Sequence, residues 1–333
     1  MYNSLQIFRG LAAFGVVIHH AALSTNGIVD KIPTWLFEIL NHGYLGVDFF
    51  FVLSGFIIMN SHFDDTKSIH ALKVYLIKRF VRIFPPYWPV SLVLIMGYFV
   101  LPGMTQGVRN DFSWLSSIFL FPDVSPPALS VAWTLIHELL FYIIFTIFFF
   151  SSRYFTTVVI IWVLAILSTI EWADGVQFSP LLTCLISTLN LEFVMGMVVA
   201  KCSRSLTNKY AVHFLILGFL SMVLLLIGQS AEEQRVMFGL PFSILILGTV
   251  LLERKVKLVL PRSLVLIGDS SYSIYLIHNP LLSLTSRFVA RLHGFASWGL
   301  GMLVGIGASL FIGFLYHRFV EKPLIFMFRQ HFK

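Results

Sequence analysis

Long apolar runs, separated by short polar connections, set the pattern of this sequence. They recur near residues 5–24, 43–61, 83–103, 129–150, 155–172, 181–200, 211–228, 236–252, 264–286 and 297–320. Each approaches the roughly 20 residues that an α-helix needs to cross a bilayer, so the pattern predicts ten membrane-spanning helices. The basic residues set the orientation. With the N-terminus in the cytoplasm, all but five of the 23 lysines and arginines fall on the cytoplasmic side, the exceptions being Lys31, Arg109, Arg235, Arg287 and Arg291. That asymmetry follows the positive-inside rule. The expected fold is an all-α polytopic membrane protein of about ten transmembrane helices, with N- and C-termini cytoplasmic. The outer connections also hold Glu171, Asp174, Glu232 and Glu233, although acidic residues carry little topological weight. The longest outer connection, roughly 104–128, contains Trp114, Phe119, Phe121 and the Pro126-Pro127 pair. It is expected to lie along the interface or fold back over the bundle, where it could help cover a site.

Composition narrows the function classes. Of 333 residues, 57% are hydrophobic and 12% charged, and the mean hydropathy is +0.85. A soluble domain carries about a quarter charged residues, so half that share fits lipid as the solvent. Ten crossings use about 200 residues, and no connection is left with the ~50 residues of an independent soluble domain. Any chemistry is then done by the membrane helices and their short connections. The formal charge of +7 falls in clusters between apolar runs, so membrane lipids are expected partners and nucleic acid is not. Cys184 lies in an apolar run and Cys202 in a basic loop, and no disulfide is expected. The run Leu11–Leu23 has Arg9 at its mouth, His19-His20 inside it and no small-residue cleavage site after it. It reads as a retained first helix rather than a signal peptide. With no internal repeat or low-complexity linker, residues 1–333 read as a single integral-membrane domain.

Ionisable groups inside a membrane helix are costly, and each is a functional candidate. Here they are Arg9, His19, His20, Asp48, His137, Glu138, Glu192, Asp269 and His278. Arg9 and His20 are eleven residues apart, three helical turns plus about 20°, which puts them on one face with a rise of about 16 Å. A guanidinium fork suits phosphate, and a histidine titrating near neutrality suits general-base work. A ligand with phosphates at one end and a reactive group about 15 Å away, such as a coenzyme A thioester, would meet both. The alternative reading makes Arg9 an ordinary positive-inside residue and His20 a packing histidine. His19 points about 100° away and is assigned to structure. Arg79 and Arg82, in the loop expected after the second helix, lie three residues apart and could grip phosphate together. They could equally anchor the chain to anionic headgroups.

Asp48, flanked by Phe49-Phe50-Phe51, needs a partner, and either structural pairing or substrate contact would supply one. In the fourth run Glu138 and Tyr142 share a face at i and i+4, whereas Trp133 lies about 140° from Glu138. A buried carboxylate there could polarise an imidazole or bind a sugar hydroxyl. The alternative is an interhelical hydrogen bond from a protonated Glu138. In the ninth run Ser271, Tyr275 and His278 form a polar stripe that must face the bundle interior. Packing accounts for the serine more readily than for the histidine. Glu192 is assigned a structural role. The sequence has no HExxH, no CxxC, no glycine-rich phosphate loop and no nucleophile elbow, so neither a metal nor ATP is expected.

These residues together resemble the bacterial membrane acyltransferase-3 family. The likeness rests on Arg9 with His20 eleven positions later, the run Gly43-Tyr44-Leu45-Gly46-Val47-Asp48-Phe49-Phe50-Phe51-Val52-Leu53-Ser54-Gly55-Phe56, and Arg79 with Arg82. It continues through Trp133-Thr134-Leu135 with Glu138 and Phe141-Tyr142, Ser271-Tyr272-Ser273-Ile274-Tyr275-Leu276-Ile277-His278, and the closing Glu321-Lys322-Pro323. It covers essentially the whole chain, and the wording is most similar to exopolysaccharide and O-antigen O-acetyltransferases. Many relatives have Ser where Thr134 stands. Some carry an extra C-terminal esterase-like domain, which is not expected here because the chain stops about ten residues beyond Pro323.

The resemblance implies a multi-pass O-acetyltransferase of the bacterial cytoplasmic (inner) membrane. It would transfer an acyl group, usually acetyl, from cytoplasmic acyl-CoA to a hydroxyl of a cell-envelope or exported glycan, or of a lipid-linked saccharide. It further implies His20 as general base or transient acyl carrier, with Arg9, Arg79 and Arg82 holding acetyl-CoA. Asp48 and Glu138 are assigned to the catalytic set, and Trp133, Tyr275 and His278 to acceptor binding. The competing classes are a transporter or flippase, with the intramembrane His and Asp residues as a polar pathway, and a non-catalytic subunit of a glycan assembly. The transporter would show inverted-repeat symmetry with broken helices in matched positions, and the sequence contains none.

Overall fold

The computed structural model describes residues 2–100, 111–170, 176–228, 235–256, 261–292 and 297–331. Arg109, Glu171, Asp174, Glu232, Glu233, Lys257 and Lys333, all used in the topology argument, lie outside the described residues, as do positions 104–110 of the long outer connection. The chain forms α1 (Asn3–Ile28), α2 (Thr34–Asn41), α3 (Gly46–His62), α4 (Ile69–Val100), α5 (Trp114–Phe119), α6 (Ala132–Phe145), α7 (Ser152–Thr169) and α8 (Pro180–Ile186). It continues with α9 (Asn190–Ser205), α10 (Ala211–Gly228), α11 (Gly239–Lys255), α12 (Arg262–Asp269), α13 (Ser271–Ala290), α14 (Trp298–Tyr316) and α15 (Lys322–His331).

Among the described residues there is no strand, and nine helical segments are long and apolar enough to cross a membrane. The tenth predicted crossing is helical too, as α12 and α13. Ser271, Ser273, His278 and Asn279 dilute the hydropathy of α13, and it is not one of the nine. The third helix departs most from expectation. It begins at Ile69, not near 83, and runs 32 residues through Pro85, Pro86 and Pro89. Arg79 and Arg82 therefore stand on a helix rather than in a loop. Proline normally ends a helix, but in membrane bundles neighbouring side chains can satisfy the disturbed backbone. The carbonyls deprived of a donor are those of Val81, Arg82 and Pro85, and beside them the hydroxyls of Tyr272 and Tyr316 donate to the carbonyls of Ile83 (2.9 Å) and Pro86 (2.6 Å), tying α13 and the end of α14 to this stretch.

The chain divides into two compact units, each drawn from separate stretches of sequence. The first comprises Met1–Asp64 and Thr188–Ser271. In lipid, helices gain little from burying apolar surface against one another, so close backbone packing at small residues holds them together. At the contact of α3 with α9, a Cβ on Gly55 would strike the Phe193 carbonyl, and one on Gly196 would strike the Val52 carbonyl. Around this contact Leu5, Phe49, Val52, Leu53, Phe56, Ile246 and Val250 form a buried apolar core. The N-terminus of α1 is capped from α11. Glu253 accepts from the backbone N–H groups of Asn3 (2.7 Å) and Ser4 (3.0 Å), a carboxylate at the positive end of the helix dipole.

The second unit comprises Asp65–Ser187 and Tyr272–Lys333. Its centre is aromatic, with Tyr75 packed on Phe145 (5.5 Å between centroids) and Phe149 (5.1 Å). The described part of the long outer connection folds back onto α4, one of the two courses expected for it. Tyr87 and Ser91 both donate to the Ser117 carbonyl at 2.8 Å, Trp88 Nε1 donates to Ile118 (2.9 Å), and Tyr98 donates to Ala128 (3.0 Å). Cys184 and Cys202 are free thiols.

Candidate active site

In the first unit α1 runs unbroken from Arg9 to His20. Helical geometry then separates the two residues by about 16 Å along one face. His20 is half-buried, and its Nδ1 lies 3.0 Å from the Val16 carbonyl, one turn back. A carbonyl only accepts, so Nδ1 carries the proton and Nε2 is the acceptor nitrogen. The His19 ring packs edge-on against His20 (4.8 Å) and Tyr44 (5.8 Å), in agreement with a structural role. Arg9 Nη1 donates to Gln6 Oε1 at 2.9 Å. Between these two positions α1 receives the start of α3. A Cβ on Gly43 would meet Gly15, and one on Gly46 would meet Ala12 and Val16. Asp48 follows two residues later and is wholly buried. The glycines of Gly-Tyr-Leu-Gly-Val-Asp thus bring a carboxylate-bearing turn against the α1 segment that joins Arg9 to His20.

The second unit holds a denser polar cluster. Arg82, on α4, donates through Nη1 to Glu321 Oε1 at 2.7 Å, and its guanidinium lies 5.0 Å over the Tyr272 ring. Glu321 ends a single π-helical turn, His317–Glu321, that links α14 to α15. Its second oxygen accepts from Ser273 Oγ (2.6 Å) and lies 2.7 Å from His317 Nδ1. Four elements (α4, α13, the π turn and, through the tyrosine described next, α6) therefore meet around two arginines. One turn before Arg82, Arg79 sits 5.7 Å from the Tyr75 ring centroid and 5.5 Å from that of Tyr142. Its Nε is buried and has no hydrogen-bond partner among the described residues. Tyr142 donates to Glu138, the i and i+4 pairing read from the sequence, and Tyr75 donates to the Tyr142 carbonyl (3.1 Å).

The other expected site residues fall around this cluster. The Tyr275 hydroxyl bonds Thr134 Oγ1 (2.9 Å), tying α13 to α6. His278 is fully buried, and its Nδ1 is 2.7 Å from the Tyr275 carbonyl. Trp133 is partly exposed on the other side of α6 from Glu138, with its indole edge-on to His137 at 5.9 Å. Among the described residues no group of three or more His, Cys, Asp or Glu could hold a metal ion.

The acyltransferase domain that defines the acyltransferase-3 family matches residues 2–318, spanning segments of both units. This chain belongs to the acyltransferase-3 family. Two curated relatives align over most of this acyltransferase-3 chain. The exopolysaccharide production protein ExoZ of Rhizobium meliloti is 29% identical over 304 residues, covering 85% of this chain and 90% of its own. The peptidoglycan O-acetyltransferase OatA of Listeria monocytogenes is 27% identical over 368 residues, covering 96% of this chain but 55% of its own length. No solved structure matches the chain. The family and the nine membrane-capable helices make it a multi-pass membrane protein. Within this acyltransferase-3 member the sequence reading overlooked Glu321, His317, Ser273, Tyr272 and Tyr75. The signal for Glu321 was present in Glu-Lys-Pro, but the residue lies just past the last apolar run and was grouped with the cytoplasmic tail.

Proposed function

We propose that this protein is an O-acetyltransferase of the bacterial cytoplasmic membrane that moves an acetyl group from cytoplasmic acetyl-CoA to a hydroxyl of a cell-envelope or exported glycan. The family supports acyl transfer, and the names of the two relatives, one an exopolysaccharide production protein and the other a peptidoglycan O-acetyltransferase, support a glycan acceptor. The charge asymmetry supports ten crossings with both termini in the cytoplasm. The observation that carries the assignment of residues is α1 itself, an unbroken helix with a phosphate-suited fork at Arg9 and, at His20, a ring whose Nδ1 is engaged by the Val16 carbonyl.

In the proposed reaction Arg9, Arg79 and Arg82 hold the phosphates of the acyl-CoA. His20 Nε2 takes the proton of the acceptor hydroxyl as its oxygen attacks the thioester carbonyl. The C–S bond breaks, the new ester C–O bond remains on the sugar, and the proton passes to the departing CoA sulfur. Asp48 and Glu138 complete the catalytic set. The test uses purified protein in detergent with radiolabelled acetyl-CoA, following binding and slow thioester hydrolysis. Wild type is expected to turn over, His20→Ala to bind without reacting, and Arg9→Ala to lose binding. An acetyl-imidazole trapped on His20 would replace direct attack by a carrier mechanism. Failure of acetyl-CoA and of other acyl-CoAs to bind or to protect against heat would sink the enzyme reading in favour of a transporter.

A further inference from the structure

A second candidate site lies wholly within the second unit. The fold-back connection, the start of α6, and α8 with the residues before it line an open cavity of about 780 Å³. That is within the roughly 300–1,000 Å³ typical of small-molecule sites. Asp123, Ser125, Trp133, His137, Gln177 and Thr183 are among the residues that line it. An indole beside hydroxyl, amide and imidazole groups is the mixture that a saccharide uses, with its apolar C–H face against a ring and its hydroxyls on polar partners. Among the described residues that line it, Asp123 is the one carboxylate and there is neither lysine nor arginine, which separates this lining chemically from Arg79 and Arg82.

The walls are also held in place. Asp123 accepts from Ser113 Oγ (2.5 Å) and from the Val124 N–H (2.8 Å), which fixes the carboxylate at the cavity rim. Ser113 caps α5 through the Ser116 N–H (3.1 Å), and Ser117 Oγ accepts from the Ala128 N–H (2.8 Å). With the tyrosine, tryptophan and serine bonds from α4, these make the connection a rigid wall. A preformed cavity spares an incoming ligand the cost of ordering it. His137 closes part of the wall, with Nδ1 at 3.4 Å from Cys184 Sγ.

We propose that this cavity is the acceptor subsite, and that the Asp123 carboxylate makes it select uncharged saccharides over anionic ones. The proposal rests on the glycan O-acetyltransferase reading and adds to it the place and the charge preference of the acceptor. The test is an array of neutral and carboxylated oligosaccharides probed with labelled full-length protein in detergent, with acetyl-CoA consumption measured in parallel. Wild type is expected to bind neutral members. Thr183→Trp and Gln177→Trp, two exposed positions, one in α8 and one just before it, are each expected to lower that binding tenfold or more while melting as wild type does. Asp123→Asn is expected to raise the ratio of carboxylated to neutral binding at least threefold. Wild-type preference for anionic members, no neutral member bound, or unchanged binding in both tryptophan variants would each overturn the proposal. If wild type shows the saccharide pattern but neither binds nor consumes any acyl-CoA, the cavity stands and the acetyltransferase reading falls.

Discussion

Arg82 and Glu321 stand 239 residues apart in the chain and meet at 2.7 Å. The two ends of this pair differ. Only 1% of the Glu321 side chain is exposed, against 30% for Arg82. Glu321 has both oxygens engaged, by Arg82 on one side and by Ser273 and His317 on the other. It acts as an anchor that orients the guanidinium against Tyr272, and its charge offsets one of two neighbouring cations on α4. Arg79, one turn earlier, lies between the Tyr75 and Tyr142 rings with its Nε without a hydrogen bond among the described residues.

Glu321→Gln keeps the shape of the anchor but removes its charge. Breaking one partner from a buried charged hydrogen bond costs about 1–3 kcal/mol, so the variant is expected to melt at lower temperature in detergent. Arg82→Lys is expected to lose acetyl-CoA affinity despite keeping the charge, because an ammonium cannot hold Glu321 and an incoming anion in one planar fork. Differential scanning fluorimetry with and without acetyl-CoA separates the two effects. Unchanged melting of Glu321→Gln would remove the anchor role.

His20→Gln is expected to lower kcat for acetyl transfer by ~10²–10⁴-fold, the usual range for a general base, with acetyl-CoA binding retained. The glutamine amide can still reach its neighbours, so melting should stay close to wild type. Residual turnover above a few per cent of wild type would assign the proton transfer elsewhere.

The aromatic setting of Arg79 can be tested without touching the arginine. Tyr142→Phe keeps the ring and loses the hydroxyl that reaches Glu138, while Tyr142→Leu loses both. A cation–π contact of about 0.5–2 kcal/mol predicts an acetyl-CoA Kd raised several-fold by leucine and much less by phenylalanine. Equal effects would tie the tyrosine to Glu138 alone.

Asp123 carries a pH prediction. Hydrogen bonds from Ser113 and the Val124 N–H hold its carboxyl below the ordinary carboxylate range. A depressed folded-state pKa means that the contribution is complete above the ordinary value and is lost as pH falls through the depressed one. Proteolysis of the 111–128 connection should therefore be slow near neutrality and rise only under acid conditions. Asp123→Asn should already raise it at pH 7.

The α-helical class and nearly every helical segment were legible because a bilayer-length apolar run is a strong signal and has few alternatives. The Glu138–Tyr142 bond was legible for a similar reason, since it is local and helical spacing alone dictates it. The start of α4 was not, because its first turns are basic and amphipathic and its prolines read as a stop. The helix that carries them through is held by partners far off in sequence, Tyr272 and Tyr316, about 190 and 230 positions away. Glu321 was missed for the same kind of reason, as a residue at the edge of a run acquires its meaning only from distant partners. The cavity could not be read at all, because its walls come from loops whose hydrogen bonds follow no period.

The Gly55–Gly196 contact also has a consequence for how the protein is made. Its two glycines are separated by about 140 residues, which a ribosome adding ~5–20 residues per second takes roughly ten to thirty seconds to deliver. Throughout that interval α3 is in the membrane without α9, the helix that its glycine face fits, while three later crossings are inserted. The nascent α3, with its buried Asp48, then needs a temporary neighbour. That makes the stretch between α3 and α9 the interval in which membrane chaperones and quality-control proteases have their clearest access to this enzyme.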